Sequence, residues 1–406
     1  MRILALSTWF PYPPDNGSKL RAYYLLRALA SGHQVTLVAF HPPDGKADAP
    51  SSVHEREGIR VWPVPVNPFR YVDVPEIIKF ASPIPLAYWP SREMQRTAAH
   101  VAGSGRWDAV VVFQPFAARY ALSLANAPRL LDVDTALTYQ MWERHARQRR
   151  LLARWRTWVS WRKAYRLESW LFRRFQTCTV ASPLEWECVS ALVDRRQSRV
   201  EVLPNGVDCR HNRPDLAPVQ PNTLIFNGAL TYNANYDAMR YFLAEIYPLI
   251  KKQVPEVSLT ITGSTTGVNL AGLHLDPSVR LSGYVPDIRP WVASASVCVA
   301  PIRQGAGTRL KILEAMALGT PVVATAKGAE GLEVVDGQHL LLADEPTAFA
   351  ERTARLLRDP ALRRLLATNA RALVESRYDW EEIGGRFRGL VEETVRMHRS
   401  LKGGTP

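Results

Sequence analysis

Short apolar runs closed by glycine or proline alternate along this chain with stretches whose apolar residues recur every three or four positions. Ile3, Leu4, Ala5 and Leu6 read as a strand buried on both faces. Pro11, Pro13, Pro14 and Gly17 then enforce a loop. From Ser18, the spacing Leu20, Tyr24, Leu25, Ala28, Leu29 is helical and closes at Gly32, and Val35–Phe40 returns to a strand. Further strands are predicted at Ala109–Phe113, Arg129–Asp134, Val200–Val207, Thr223–Asn227, Val257–Thr262, Val297–Ala300 and Val322–Thr325. Strands alternating with helices predict an α/β chain with parallel sheets. At 406 residues the chain exceeds what one core usually supports, so two α/β domains are expected. The Pro-Asn-Gly turn at Asn205 and the proline-rich, polar Arg213–Asn222 segment mark the boundary.

The richest segment is Gly305–Thr325, GAGTRLKILEAMALGTPVVAT. It reads as a glycine loop, a short helix, a stop at Gly319 and a β-branched strand opened by Pro321. Leu310, Ile312, Leu313, Met316 and Ala317 supply a core face, which leaves Arg309, Lys311 and Glu314. A glycine loop feeding a helix N-terminus is an anion site, because free N–H groups and the dipole point at the ligand. Two cations beside that terminus oppose the dipole and answer to a bound anion such as a diphosphate. Glu314, one turn deeper, is placed to accept from hydroxyls such as those of a ribose.

This segment resembles the nucleotide-binding signature of the retaining family 4 glycosyltransferases, whose GT-B fold sets two Rossmann-like domains across a central cleft. The resemblance implies a donor domain at 206–384 and an acceptor-side domain at 1–205, with a C-terminal helix near 385–406 crossing back. It assigns Glu314 to the nucleotide ribose, and Lys311 with the amides of Gly305, Ala306, Gly307 and Thr308 to the phosphates. The family's first glutamate, a sugar contact, falls on Ala306. The opening segment is similar to the family's first strand–loop–helix unit, which carries Gly17 and Ser18 to the donor phosphates. VLPNGVD and LSGYVPDIRPWV match further family elements, the latter placing Tyr284 and Val285 at the nucleobase. Gly228 and Gly263 end strands that face the donor in this family. Where many members follow Gly228 with cations, this chain reads ALTYNANYD, so Asn233 and Asn235 offer hydrogen bonds only and the charge falls to Arg309 and Lys311.

In the first domain, Gln114 stands near the place of a family histidine. The strand ending LLDVDT carries Asp132 and Asp134, whose period of two predicts one common face. Either is a candidate acceptor ligand, with Asp134 the expected base or a cap of the following helix. The implied reaction is transfer of a sugar from a UDP- or GDP-type donor to a hydroxyl, with retention and no metal or other cofactor. A UDP-sugar epimerase, a natural-product glycosyltransferase and a non-catalytic nucleotide-binding member of the same fold remain alternatives.

Charge adds one more feature. Lys plus Arg is 51 and Asp plus Glu is 38, a net +13. Much of the excess lies in Arg144–Arg174, which together with Glu143 holds eleven Lys and Arg against two acids, with Trp155, Trp158, Trp161 and Trp170 interleaved. Basic residues beside tryptophan suit an interfacial helix on anionic lipid. No nucleic-acid recognition module accompanies the run. Four scattered cysteines, no run of 18 apolar residues and no secretory leader favour a cytoplasmic protein, peripheral on the inner membrane face. The acceptor is then a lipid-linked or growing glycan.

Overall fold

The apolar runs become strands of two wholly parallel sheets in this computed structural model, which describes residues 1–41, 57–69, 71, 73–124, 126–305 and 309–403. The chain divides into Met1–Pro204 with Ile383–Pro406, and Asn205–Glu382. In the first unit, β1 (Arg2–Ser7), β2 (Gln34–Phe40), β3 (Ile59–Val64), β4 (Ala109–Phe113), β5 (Arg129–Asp134), β6 (Thr177–Val180) and β7 (Arg199–Val202) lie in the order β3-β2-β1-β4-β5-β6-β7. In the second, β8 (Thr223–Asn227), β9 (Ser258–Thr262), β10 (Val279–Gly283), β11 (Val297–Ala300), β12 (Val322–Ala324) and β13 (Leu341–Leu342) lie in the order β10-β9-β8-β11-β12-β13. Both are doubly wound. The strand order reverses between β1 and β4 in one unit and between β8 and β11 in the other, and ligands of such sheets gather at the carboxyl ends there.

Burial explains the runs. Ile3, Leu4, Ala5 and Leu6, and Val110 to Phe113, are fully enclosed, because helices cover both faces of the sheet. The helix Gly17–Ala30 is opened by Asn16, whose side chain accepts from the Lys19 N–H at 3.1 Å. The strand predicted over Val200–Val207 is shorter, since β7 stops at Val202. Pro204 has no N–H to extend a ladder, and Val207 pairs instead with Asp379.

The basic run forms two helices, Leu137–Ala146 and Leu151–Phe172, rather than one. They part where Arg147, Arg149 and Arg150 crowd like charge. Glu168 ties them together: its buried carboxylate accepts from the N–H groups of Leu137 (2.9 Å) and Thr138 (2.8 Å), the Thr138 hydroxyl (2.5 Å) and the Tyr88 hydroxyl. The helix Trp380–Gly403 buries Ile383, Phe387, Val391 and Val395, four residues apart, with Phe387 6.0 Å from Phe113 and the Thr394 hydroxyl 2.7 Å from that of Thr177.

Candidate functional site

In the second unit the predicted donor residues converge on the β8/β11 switch point. β8 ends at Asn227 and Gly228, and β11 leads through Gly305 to the helix Leu310–Ala317. Asn227 Nδ2 donates to Glu314 Oε2 at 2.9 Å and to the Lys311 carbonyl at 3.3 Å, fastening that helix to the strand end. Gly228 has no room for a side chain, because a Cβ there would lie 2.8 Å from Asn235 Nδ2 and 2.9 Å from Lys311 Nζ. Gly263, at φ +99°, lets the β9 end pass Ala229, whose backbone a Cβ would meet at 2.6 Å. Its N–H donates to the Gly283 carbonyl at 2.9 Å, which sets Tyr284 on the same edge, 78% exposed, beside half-buried Val285.

Lys311 is the chemical centre of this edge. Nζ donates to Asn235 Oδ1 at 2.7 Å and stands 3.9 Å from the centroid of the Phe226 ring. Among the described residues no carboxylate forms an ion pair with it. Arg309 differs, for it donates to the Gly305 carbonyl at 2.7 Å and lies 3.8 Å from Glu330, which also binds Lys327. Burial, with Arg309 nearby, pulls the Lys311 amine down to about 7. Burial also raises the Glu314 carboxyl, against the Asn227 hydrogen bond and the Lys311 charge, both of which hold it down. Both side chains keep some surface open to solvent. A largely buried ammonium held by one neutral amide gains most from an approaching anion. Ala306, Gly307 and Thr308 lie outside the described residues. If Glu314 accepts from a nucleoside hydroxyl, Glu314→Gln weakens nucleoside diphosphate binding by about 1–3 kcal/mol, and calorimetry checks it.

In the first unit a polar corner forms at the β1/β4 switch point. Ser7 closes β1 and its hydroxyl lies 3.4 Å from Gln114 Oε1, while Gln114 Nε2 donates to the Ser18 carbonyl at 3.3 Å. The Ser18 hydroxyl donates to Asp134 Oδ2 at 2.5 Å, and Gly17 begins the helix that carries Ser18. Gln114 (φ +66°) and Asp134 (φ +56°) both hold left-handed backbone without being glycine. Such strain persists only where surroundings impose it and concentrates at working sites. Glu185, with no signal in the sequence, faces the same corner, where burial and then the Asp134 charge raise its carboxyl to about 8.

Asp132 does not belong there. It is fully buried, and both its oxygens accept from Arg21 (2.7 to 3.0 Å), with a further bond from the Thr179 hydroxyl at 2.7 Å. A register shift between Asp132 and Asp134 breaks the predicted alternation. Its role as an acceptor ligand is therefore corrected to a structural one. Asp134 does not cap the next helix either, since Glu168 takes the Leu137 and Thr138 N–H groups.

The family model for glycosyl transferases group 1 matches residues 221–359, and that for the glycosyl transferase 4-like domain matches 16–206. An uncharacterised 44.6 kDa protein of the cps region of Klebsiella pneumoniae is 23% identical over 201 residues, covering 46% of this chain and 51% of that protein. The phosphatidyl-myo-inositol mannosyltransferase of Mycobacterium leprae is 32% identical over 204 residues, covering 47% and 52%. Each of these alignments thus spans about half the length of the relative it matches. Among solved structures, sucrose-phosphate synthase from Thermosynechococcus elongatus gives a TM-score of 0.71 at 18% identity, with 100% of both chains covered. Anabaena HepE, in complex with UDP and glucose, gives 0.67 at 15%, covering 97% of this chain and 100% of that one.

Proposed function

The chain belongs to the group 1 glycosyltransferases, and from that premise we propose that it moves a sugar from a UDP- or GDP-type donor to a hydroxyl of a lipid-linked or growing glycan, with retention and without a metal. The observation that carries this reading is Lys311, whose ammonium has an amide and an aromatic ring for partners and, among the described residues, forms no ion pair, beside the glycine that follows β8. The diphosphate of a sugar nucleotide fits that vacancy of charge. Glu314 accepts from the ribose, and Tyr284 and Val285 flank the base.

The bond from the anomeric carbon to the diphosphate oxygen breaks as negative charge grows on the leaving group. Lys311, with Arg309 and the helix N-terminus, stabilises that charge, which is where a preorganised cation contributes most. The acceptor oxygen attacks the same face of the sugar and its proton passes to the departing diphosphate. Gln114, Ser18 and Asp134 hold the acceptor, and little is asked of a side-chain base. The lipid acceptor is supported by the apolar exposure on the basic helix Leu151–Phe172, where Leu151, Trp155, Trp158 and Trp170 face solvent. No described helix is long and apolar enough to cross a membrane, and in this reading the exposed basic helix is what meets the anionic inner face.

Protonation is coupled to binding. Near pH 8 an amine at about 7 is mostly neutral, and a diphosphate that charges it draws up to about one proton from buffer. Calorimetry in buffers of different ionisation enthalpy should show that uptake near pH 8 and almost none near pH 6. Uptake equal at both pH values removes Lys311 from the phosphate site. The reaction itself is tested by incubating the protein with α-linked sugar nucleotides and membrane lipid extract in chelator. An α-linked lipid product by NMR supports the reading, and a β-linked product overturns retention.

A further inference from the structure

The first unit holds a cavity of about 530 Å³ that no step above uses. Phe40, Tyr71, Ile78, Trp89, Phe116 and Tyr120 give it aromatic and aliphatic walls. Several of its polar atoms are already engaged in the protein's own hydrogen bonds. The Ser82 hydroxyl donates to the Ile84 carbonyl at 2.7 Å, the Ser91 hydroxyl to Glu93 at 2.9 Å, and Asn67 Oδ1 accepts from the Phe69 N–H at 2.8 Å. Tyr120 accepts from the Ser91 N–H at 2.8 Å. The wall is mainly apolar, at a volume common for ligand pockets.

Exposed apolar residues stand at the opening, with cations of the basic helix beside them. Ile78 and Trp89 line the cavity yet are 52% and 54% exposed, and neighbouring Ile77 is 74% exposed. The basic helix packs on this rim. Trp155 lies 5.5 Å from the Phe80 ring, Arg156 5.9 Å from it, and Lys163 Nζ donates to the carbonyls of Phe80 and Ser82. Leu151 and Leu152, at 85% and 71%, extend the exposed apolar face. Exposed apolar groups beside Arg156 and Lys163 match an anionic amphiphile, with its chain inside and its headgroup outside.

The cavity also adjoins the polar corner. Phe116 lies two residues beyond Gln114, on the helix Pro115–Ala121 that starts from it. An aromatic series runs back to Ser7, with Phe116 6.4 Å from Phe69, Phe69 4.3 Å from Trp9, and the Trp9 carbonyl accepting from the Ser7 hydroxyl at 2.6 Å.

We propose that this cavity binds the hydrocarbon chain of an anionic membrane lipid, so that the acceptor is held by its tail as well as its hydroxyl. The proposal rests on the lipid-acceptor reading above.

Octyl and decyl phosphate below their micelle concentrations, with sodium phosphate as control, are titrated into the full chain. Decyl phosphate is expected to bind one site about 15-fold more tightly than octyl, from about 0.8 kcal/mol for each of two added methylenes. Ala81→Trp, at an exposed position on the rim, should weaken decyl phosphate at least tenfold with an unchanged melting temperature. If that variant unfolds, Ile78→Asp serves in its place. Equal affinity for both chain lengths, binding that both rim variants leave intact, or sodium phosphate binding as well as decyl phosphate overturns the proposal. Flotation on phosphatidylglycerol vesicles separates the two ideas. Wild-type protein that floats but ignores chain length loses the cavity and keeps the membrane. Protein that reads chain length but does not float keeps the cavity and loses the membrane.

Discussion

Lys311→Met lowers turnover about 10²–10³-fold and weakens nucleoside diphosphate binding less, by roughly tenfold, while leaving the apo protein at least as stable. Methionine keeps the aliphatic stem against Phe226 and removes the charge. The loss falls on turnover because the cation meets more negative charge in the transition state than in the bound donor. Stability moves the other way. Burial holds the amine at about 7, so the folded chain binds that proton more weakly than the unfolded chain does. The cost is fully present below about pH 7 and fades as pH rises toward the ordinary lysine value. Wild-type stability should therefore gain with pH across that window, and the methionine variant should lack the gain. Steady-state kinetics and urea melts at several pH values read both effects. Unchanged turnover would take Lys311 out of the reaction.

Arg21→Met costs about 3–5 kcal/mol, since it strands the Asp132 carboxylate in a fully buried site. That corresponds to a fall of roughly 6–20 °C in the melting temperature of a unit this size. The pair is fully buried, with Arg21 Nη1 also donating to the Pro204 carbonyl at 3.1 Å, so β5, the first helix and the end of the unit share one ionic knot. The double variant Arg21→Met with Asp132→Leu should recover more than half of the loss, because no charge is then left unpaired. Asp132→Asn discriminates between roles. It should destabilise the fold, whereas a variant of full stability and no turnover would return Asp132 to the acceptor site.

These two residues show where sequence reasoning reached and where it stopped. The strands at Thr223–Asn227, Val297–Ala300 and Ala109–Phe113 were readable because a strand covered on both faces must be apolar throughout. The Lys311–Glu314 edge beside the β8 end was readable as one local unit because glycine loops and that spacing are close in sequence. The Arg21–Asp132 pair spans 111 residues, so Asp132 looked like a free acid beside Asp134. A register shift undid the alternation that joined them. The strained backbones of Gln114 and Asp134 leave no mark in residue type, and Glu185 reads as an ordinary helix residue until the fold sets it beside Asp134. The cavity draws on Phe40, the stretch from Val66 to Ser91, Phe116 and Tyr120, segments that share no period. The tryptophans of the basic run were visible, and only burial tells that Trp155 and Trp158 face outward.

The donor site stands or falls on one titration: calorimetry of the full chain against UDP, GDP, ADP and TDP in the presence of chelator. Saturable binding of one of them at one site, weakened by both Glu314→Gln and Lys311→Met, is the result expected of a metal-free nucleotide-sugar site at the end of β8. Binding of none, or binding that neither substitution changes, would contradict it.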